Sequence, residues 1–168
     1  RFERIGLRDP RAAADQEMVN EFRYDSFGNI SEAVDPRGNV SQTFYDEATH
    51  AFPVRTVNAL GHAEEFEYDL RFGEITLRRD ANGAERKVEF DSLGRAARTW
   101  NPQDPIDDPS MVFSYDDRFV DSNGDGIGEI LPSVTQWARD DSPVDGVFRT
   151  QSFYDGLGRP VQTRSESE

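Results

Sequence analysis

A short loop wraps a hard cation by offering oxygens at alternate positions, with glycine where the chain must turn. One run in the chain has this pattern: Asp121, Asn123 and Asp125, then Gly126, with Ile127 and Glu129 beyond. Calcium takes roughly six to eight oxygen ligands, and a loop of this spacing offers side-chain oxygens first and a backbone carbonyl after the glycine. Asp121, Asn123 and Asp125 would supply the side-chain oxygens, Ile127 a carbonyl and Glu129 a further carboxylate. The position where an EF-hand carries its bidentate glutamate is Pro132, so a full EF-hand is excluded. Two readings stand: a Ca2+ loop closed by an acid from elsewhere, and a solvated Asp/Asn/Gly turn between strands.

Other chemistry finds less support. His50 and His62 fall in adjacent turn regions and could approach each other, but two histidines alone make a poor metal site. Carboxylate pairs for glycoside hydrolysis could be drawn from many acids, yet these mostly occupy turns or strand faces. No Gly-x-Ser-x-Gly elbow, phosphate-binding glycine loop or dinucleotide fingerprint occurs, and there is no cysteine. The chain reads as a non-enzyme.

Charge narrows the partners. With 33 acidic and 19 basic side chains the net charge is -14. That field repels nucleic acid and anionic membrane surfaces. No apolar run approaches a membrane span and no signal peptide is visible. Both termini read as cut from something longer. The length suits one domain, while a hydrophobic share of 35% is below the usual value.

The elements that would carry any site are set by a repeat. All five tyrosines precede aspartate: Tyr24-Asp25, Tyr45-Asp46, Tyr68-Asp69, Tyr115-Asp116 and Tyr154-Asp155, with Phe90-Asp91 as a sixth aromatic pair. Successive pairs lie 21, 23, 22, 25 and 39 residues apart. Interleaved with them, Asp-x-x-Gly or Asn-x-x-Gly recurs at Asp25, Asp35, Asn58, Asp80, Asp91 and Asp155; Asp69–Gly73 has one extra residue and Asp46 lacks the glycine. An Asp or Asn side chain opening a type I turn accepts an N–H two residues on, and the glycine tolerates positive φ. Two such turns per period leave two strands of about six residues each, a common length. The intervening segments alternate as half-buried strands do: Ile30, Glu32 and Val34 against Ser31 and Ala33; Val40, Gln42 and Phe44 against Ser41 and Thr43. Tyrosines in such an array could stack on sugar rings, but a role that recurs in every repeat is more simply packing between hairpins.

The stretches Tyr24-Asp25-Ser26-Phe27-Gly28-Asn29, Phe90-Asp91-Ser92-Leu93-Gly94-Arg95 and Tyr154-Asp155-Gly156-Leu157-Gly158-Arg159 resemble the YD-repeat, or RHS-repeat, family over about residues 22–164. More narrowly, His50–Val54, Asn58–His62, Asp69–Gly73 and Tyr154–Thr163 look like the middle region of the B component of tripartite insecticidal toxin complexes. The resemblance implies an all-β fold, an antiparallel β-hairpin repeat ribbon of curved sheet with little helix. It implies a wall segment of a hollow shell, secreted or at the cell surface. The partners would be the rest of the parent shell and its enclosed toxin polypeptide, and the role encapsulation in virulence. The family's self-cleaving motif is not matched. The alternative is an extracellular carbohydrate-binding or adhesion module.

Three regions follow. Residues 1–21 are a degenerate repeat or a short helix, with Asp9 as a possible cap and Ala12–Met18 helix-prone. Residues 22–100 are regular repeats. Residues 101–168 are repeats with loop insertions: a three-proline loop at 101–109, an insertion after Tyr115, a strand following Pro132, a turn-rich loop at 140–146, and strand again from Phe148 to Tyr154.

Overall fold

In the computed structural model of the chain, residues 2–7, 18–118, 131–139, 146–155 and 157–166 are described. Among them are thirteen strands and no helix. The chain divides into two units, Arg1–Glu85 and Arg86–Glu168. The first holds β1 (Phe2–Leu7), β2 (Met18–Tyr24), β3 (Ile30–Val34), β4 (Val40–Tyr45), β5 (Pro53–Val57), β6 (Ala63–Asp69) and β7 (Glu74–Arg79). β8 (Glu85–Phe90) begins at its last residue, and the second unit continues with β9 (Ala96–Trp100), β10 (Met111–Asp116), β11 (Ser133–Arg139), β12 (Val147–Tyr154) and β13 (Pro160–Glu166).

Within each unit every strand pairs antiparallel with the next in sequence. In the first, β1 and β2 pair from Phe2↔Arg23 to Leu7↔Met18, and the ladder runs on to β6 and β7 at Glu65↔Arg79. In the second it runs from Lys87↔Trp100 to Arg149↔Glu166. This is the all-β hairpin ribbon expected from the turns. β11 starts directly after Pro132 and β12 covers Phe148 to Tyr154, as the alternation there requires, and 101–109 contains no strand. Residues 8–17, the larger part of the helix-prone stretch, lie outside the described residues, while Met18 opens β2.

Register is marked by opposite charges standing face to face. Arg23 meets Glu32 at 2.7 Å, Arg79 meets Glu65 at 2.8 Å and Arg149 meets Glu166 at 3.1 Å, each pair directly opposite across its ladder. Such exposed pairs are individually weak. Their weight lies in specificity, because a slip of one residue would separate all of them and turn each strand over.

The aromatic-aspartate ends share a second feature. Five ladders shift register there: at Tyr24, Tyr45, Tyr68, Phe90 and Tyr154. In each, the outgoing strand carries the extra residue: Tyr24 pairs Ile30 where Arg23 pairs Glu32, leaving Ser31 over. The turns opened by Asp35 and Asn58 show no such shift. A bulge bends its strand and increases twist locally. The ladder of β10 with β11 also runs unshifted, ending at Asp116↔Ser133.

Little is fully buried. Trp100, 6% exposed, is the one buried hydrophobic residue among those described, and Ser110, Ser133 and Thr135 are the buried polar ones. The register places Trp100, Ser133 and Thr135 on one face of the second unit. The proline-rich loop is fastened beside them. Asp104 accepts the Asn101 N–H at 2.7 Å, the Ser110 hydroxyl and one Arg139 nitrogen; Arg139 also donates to Asp108 Oδ2 at 2.9 Å and to its carbonyl at 3.0 Å. One arginine at the end of β11 therefore holds two of the three aspartates of a loop some thirty positions earlier in the chain.

Candidate functional site: the aspartate turns

Each turn is organised by one side chain. Asp25 Oδ1 accepts the N–H groups of Phe27 and Asn29, both at 2.9 Å. The same pair of acceptances recurs at Asp35, Asn58, Asp80, Asp91 and Asp155, between 2.8 and 3.0 Å. The backbone closes the loop, as Gly38 N–H donates to the Asp35 carbonyl and Asp35 N–H to the Asn39 carbonyl, both at 2.9 Å. This is a type I turn with glycine in the left-handed region after it, a common three-residue hairpin connection.

The fifth residue adds a clasp. Asn39 Nδ2 reaches Asp35 Oδ2 at 2.8 Å, and the Nε of Arg95 and of Arg159 reach Asp91 and Asp155 Oδ2 at 2.8 Å. That explains why Asn or Arg follows the glycine in the matching stretches. The tie depends on where the second carboxylate oxygen points, which spacing alone does not reveal.

Two turns depart from the rule. In the Asp69 turn, Arg71 takes over the clasp through its own side chain, with Nη2 at 2.6 Å from Oδ2. At Asp46 the loop is longer, and the carboxylate gathers the N–H groups of Thr49, Ala51 and Phe52 at 2.6, 3.0 and 2.9 Å. With no glycine present, His50 takes positive φ, 54°. Its ring stacks on Phe27 of the previous aromatic-aspartate turn with centroids 3.6 Å apart, and its carbonyl accepts Asn29 Nδ2 at 2.6 Å. Such a backbone persists where its surroundings over-determine it.

These bonds set the electrostatics. The carboxyls of Asp35, Asp91 and Asp155 lie below the ordinary carboxylate range because the fifth residue donates to them, through side chain and backbone alike. Desolvation pulls Asp25 upward, but hydrogen bonds from Asn29 and Phe27 outweigh it. The Phe52 N–H, with Thr49 and Ala51, holds Asp46 far below the usual range. The Arg118 side chain holds Asp116 at about 2. Stabilised carboxylates of this kind are poor proton donors and serve as fixed acceptors.

Three of the five tyrosines are tied to neighbouring hairpins. Tyr45 donates its hydroxyl to the Ile30 carbonyl at 3.2 Å, Tyr68 to Pro53 at 2.9 Å and Tyr115 to Ala96 at 2.8 Å. Each acceptor opens the strand after the preceding aromatic-aspartate turn, so the hydroxyl ties one repeat to the one before it. Phe52 lies between two turns, 5.0 Å from the Tyr68 ring. In the second unit Arg95 stands over Tyr115 at 4.1 Å and bonds Asp117 at 2.8 Å.

Gly73 is held twice over. Its φ is +74°, and a Cβ there would lie 3.3 Å from Phe52 Cε1. Gly83, at φ +80°, has open space around it. Gly83→Ala is expected to cost about 1–2 kcal/mol from the left-handed backbone alone. Gly73→Ala should cost more, because the Phe52 ring must also move; urea unfolding of the two variants measures the difference. Equal losses would mean that the ring contact is slack.

The remaining candidates are placed as follows. His50 and His62 sit at opposite ends of β5, whose five residues span roughly 17 Å, so they do not approach each other. No group of His, Cys, Asp and Glu able to hold a metal occurs among the described residues. Asp121, Asn123, Asp125, Ile127 and Glu129 lie outside them.

No family model matches the chain, and no curated protein matches it. Solved structures do. A crystal structure of TcdB2-TccC3 aligns with a TM-score of 0.71 at 18% identity, covering 98% of this chain and 10% of that one. A Tc holotoxin pore of Photorhabdus luminescens aligns with a TM-score of 0.72 at 15% identity, covering 98% of this chain and 12% of that one. This chain spans about a tenth of the length of those it resembles, and what it shares with them is the fold of a segment of Tc toxin complexes.

Proposed function

We propose that this chain is a wall segment of a hollow β-shell in a YD-repeat toxin component, secreted or carried at the cell surface, which encloses a polypeptide cargo. The observation that carries this reading is a tie that recurs in three repeats. A tyrosine hydroxyl bonds the strand opening after the preceding aromatic-aspartate turn at Tyr45, Tyr68 and Tyr115. Such a bond fastens repeat to repeat and leaves the hydroxyl engaged by protein, which suits a wall better than a sugar-binding surface. The fold likeness to segments of Tc toxin complexes supports the same reading. Among the described residues no helix is long and apolar enough to cross a membrane.

Limited proteolysis of the complete polypeptide that contains this chain, read by mass spectrometry, tests the proposal. The expected result is that the segment following the repeats survives while an added unfolded protein is digested. Early cutting of that segment with the repeats intact would instead mark an open scaffold or adhesion module.

A further inference from the structure

The turn from Asp80 to Ala84 matches the others in its backbone but lacks a side-chain tie that four of them have. Where the fifth residue is Asn29, Asn39, Arg95 or Arg159, its side chain donates to the turn aspartate. Ala84 has only its N–H to give, 3.0 Å from Asp80 Oδ1. The third residue differs as well. That position holds Phe27, Arg37, Leu60, Leu93 or Leu157 elsewhere, and here it is exposed Asn82, followed by Gly83. The sequence has two Asn-Gly pairs, Asn82-Gly83 and Asn123-Gly124, and the first is the one that lies among the described residues.

A glycine nitrogen, unhindered by a side chain on its own residue, can attack the side-chain amide carbon of a preceding asparagine. In the closed turn Gly83 N–H donates to the Asp80 carbonyl at 2.9 Å and Asn82 N–H to Asp80 Oδ1 at 2.8 Å, so both are engaged. Opening the turn releases them, and regions restrained by fewer bonds open more often. We propose that Asn82 is a site of spontaneous deamidation, gated by opening of the Asp80 turn. Gly83 N loses its proton to solvent base and bonds to Asn82 Cγ. The bond from Cγ to the amide nitrogen breaks, that nitrogen takes a proton back from solvent, and ammonia leaves, giving a cyclic imide. Water then adds to one imide carbonyl. Opening at Cγ yields aspartate; opening at the main-chain carbonyl yields isoaspartate. Either product adds one negative charge. Isoaspartate also lengthens the main chain by one atom inside the turn, so the N–H groups that converge on Asp80 Oδ1 no longer align.

The test incubates the chain at mildly alkaline pH, folded and in urea, and follows each asparagine by peptide mass mapping. In the folded chain Asn82 is expected to react ahead of Asn39 and Asn58. Ala84→Arg, which restores the clasp seen at Asp91 and Asp155, should slow the folded-state reaction by up to about tenfold. It should leave the rate in urea unchanged. The proposal is overturned if Asn82 stays intact in the folded chain while reacting in urea, or if Ala84→Arg leaves the folded-state rate where it was.

Discussion

Trp100→Ala is expected to destabilise the chain by about 3–5 kcal/mol, the range for removing a buried aromatic side chain. Trp100 is the one buried hydrophobic residue among those described, and Lys87 Nζ stands 4.9 Å from its ring centroid. Side chains of the described strands are mostly half-covered or exposed, and no other hydrophobic residue among them is buried to absorb the loss. For a domain of this size the change corresponds to a fall in Tm of roughly 6–20 °C. The indole Nε1 is buried and meets no acceptor among the described residues. Trp100→Phe keeps a ring and removes that N–H, so it should cost under about 1.5 kcal/mol. Chemical denaturation followed by circular dichroism measures both. A loss below about 1 kcal/mol for Trp100→Ala, against the range expected of a core aromatic, would show that this residue does not anchor the second unit.

Acid should melt the fold through its turns. The carboxyls of Asp25, Asp35, Asp46, Asp69, Asp91, Asp104, Asp116 and Asp155 are all lowered on folding. The unfolded chain, with ordinary carboxylates near about 3.9, then binds more protons than the folded one as pH drops. Their contribution is complete above the unfolded value. It is lost as pH falls toward the folded values, about 2 at Asp116. Tm is therefore expected to hold from neutral pH to about 5 and to fall steeply below about 4. A flat Tm down to about pH 3 would contradict the turn bonds as the source of the shifts. Asn58 builds the same turn with an amide and takes no part in this titration.

The strands and most turns were legible because they rest on local rules. Asp-x-x-Gly places an acceptor and a left-handed residue at fixed spacing, and Val134, Gln136 and Ala138 alternate as β11 requires. What stayed hidden depends on distance or on exceptions. Arg139 and Asp104 are far apart in sequence, so nothing local announces their pairing. His50 takes a conformation that residue preference assigns to glycine, and only the Phe27 stack from another hairpin makes sense of it. The consistent placement of the register shifts was also unseen, since period-two alternation on each strand alone does not show where two strands slip. For Tyr45, Tyr68 and Tyr115 a packing role was readable from recurrence, while the carbonyl each reaches was not.

The ladder that ends at Asp116↔Ser133 has a practical corollary. Its two strands are joined by residues 117–132, where the neighbouring hairpin of the same unit needs only 91–95 between Phe90 and Ala96. Tripling a connection in this way costs only about 1 kcal/mol of closure entropy, since each doubling adds roughly 0.6 kcal/mol. Closure entropy alone therefore leaves room for a long connection between β10 and β11. A foreign peptide or small domain whose ends lie close together, spliced between Arg118 and Leu131, should add little closure cost, with the pairing of β10 and β11 left as the anchor.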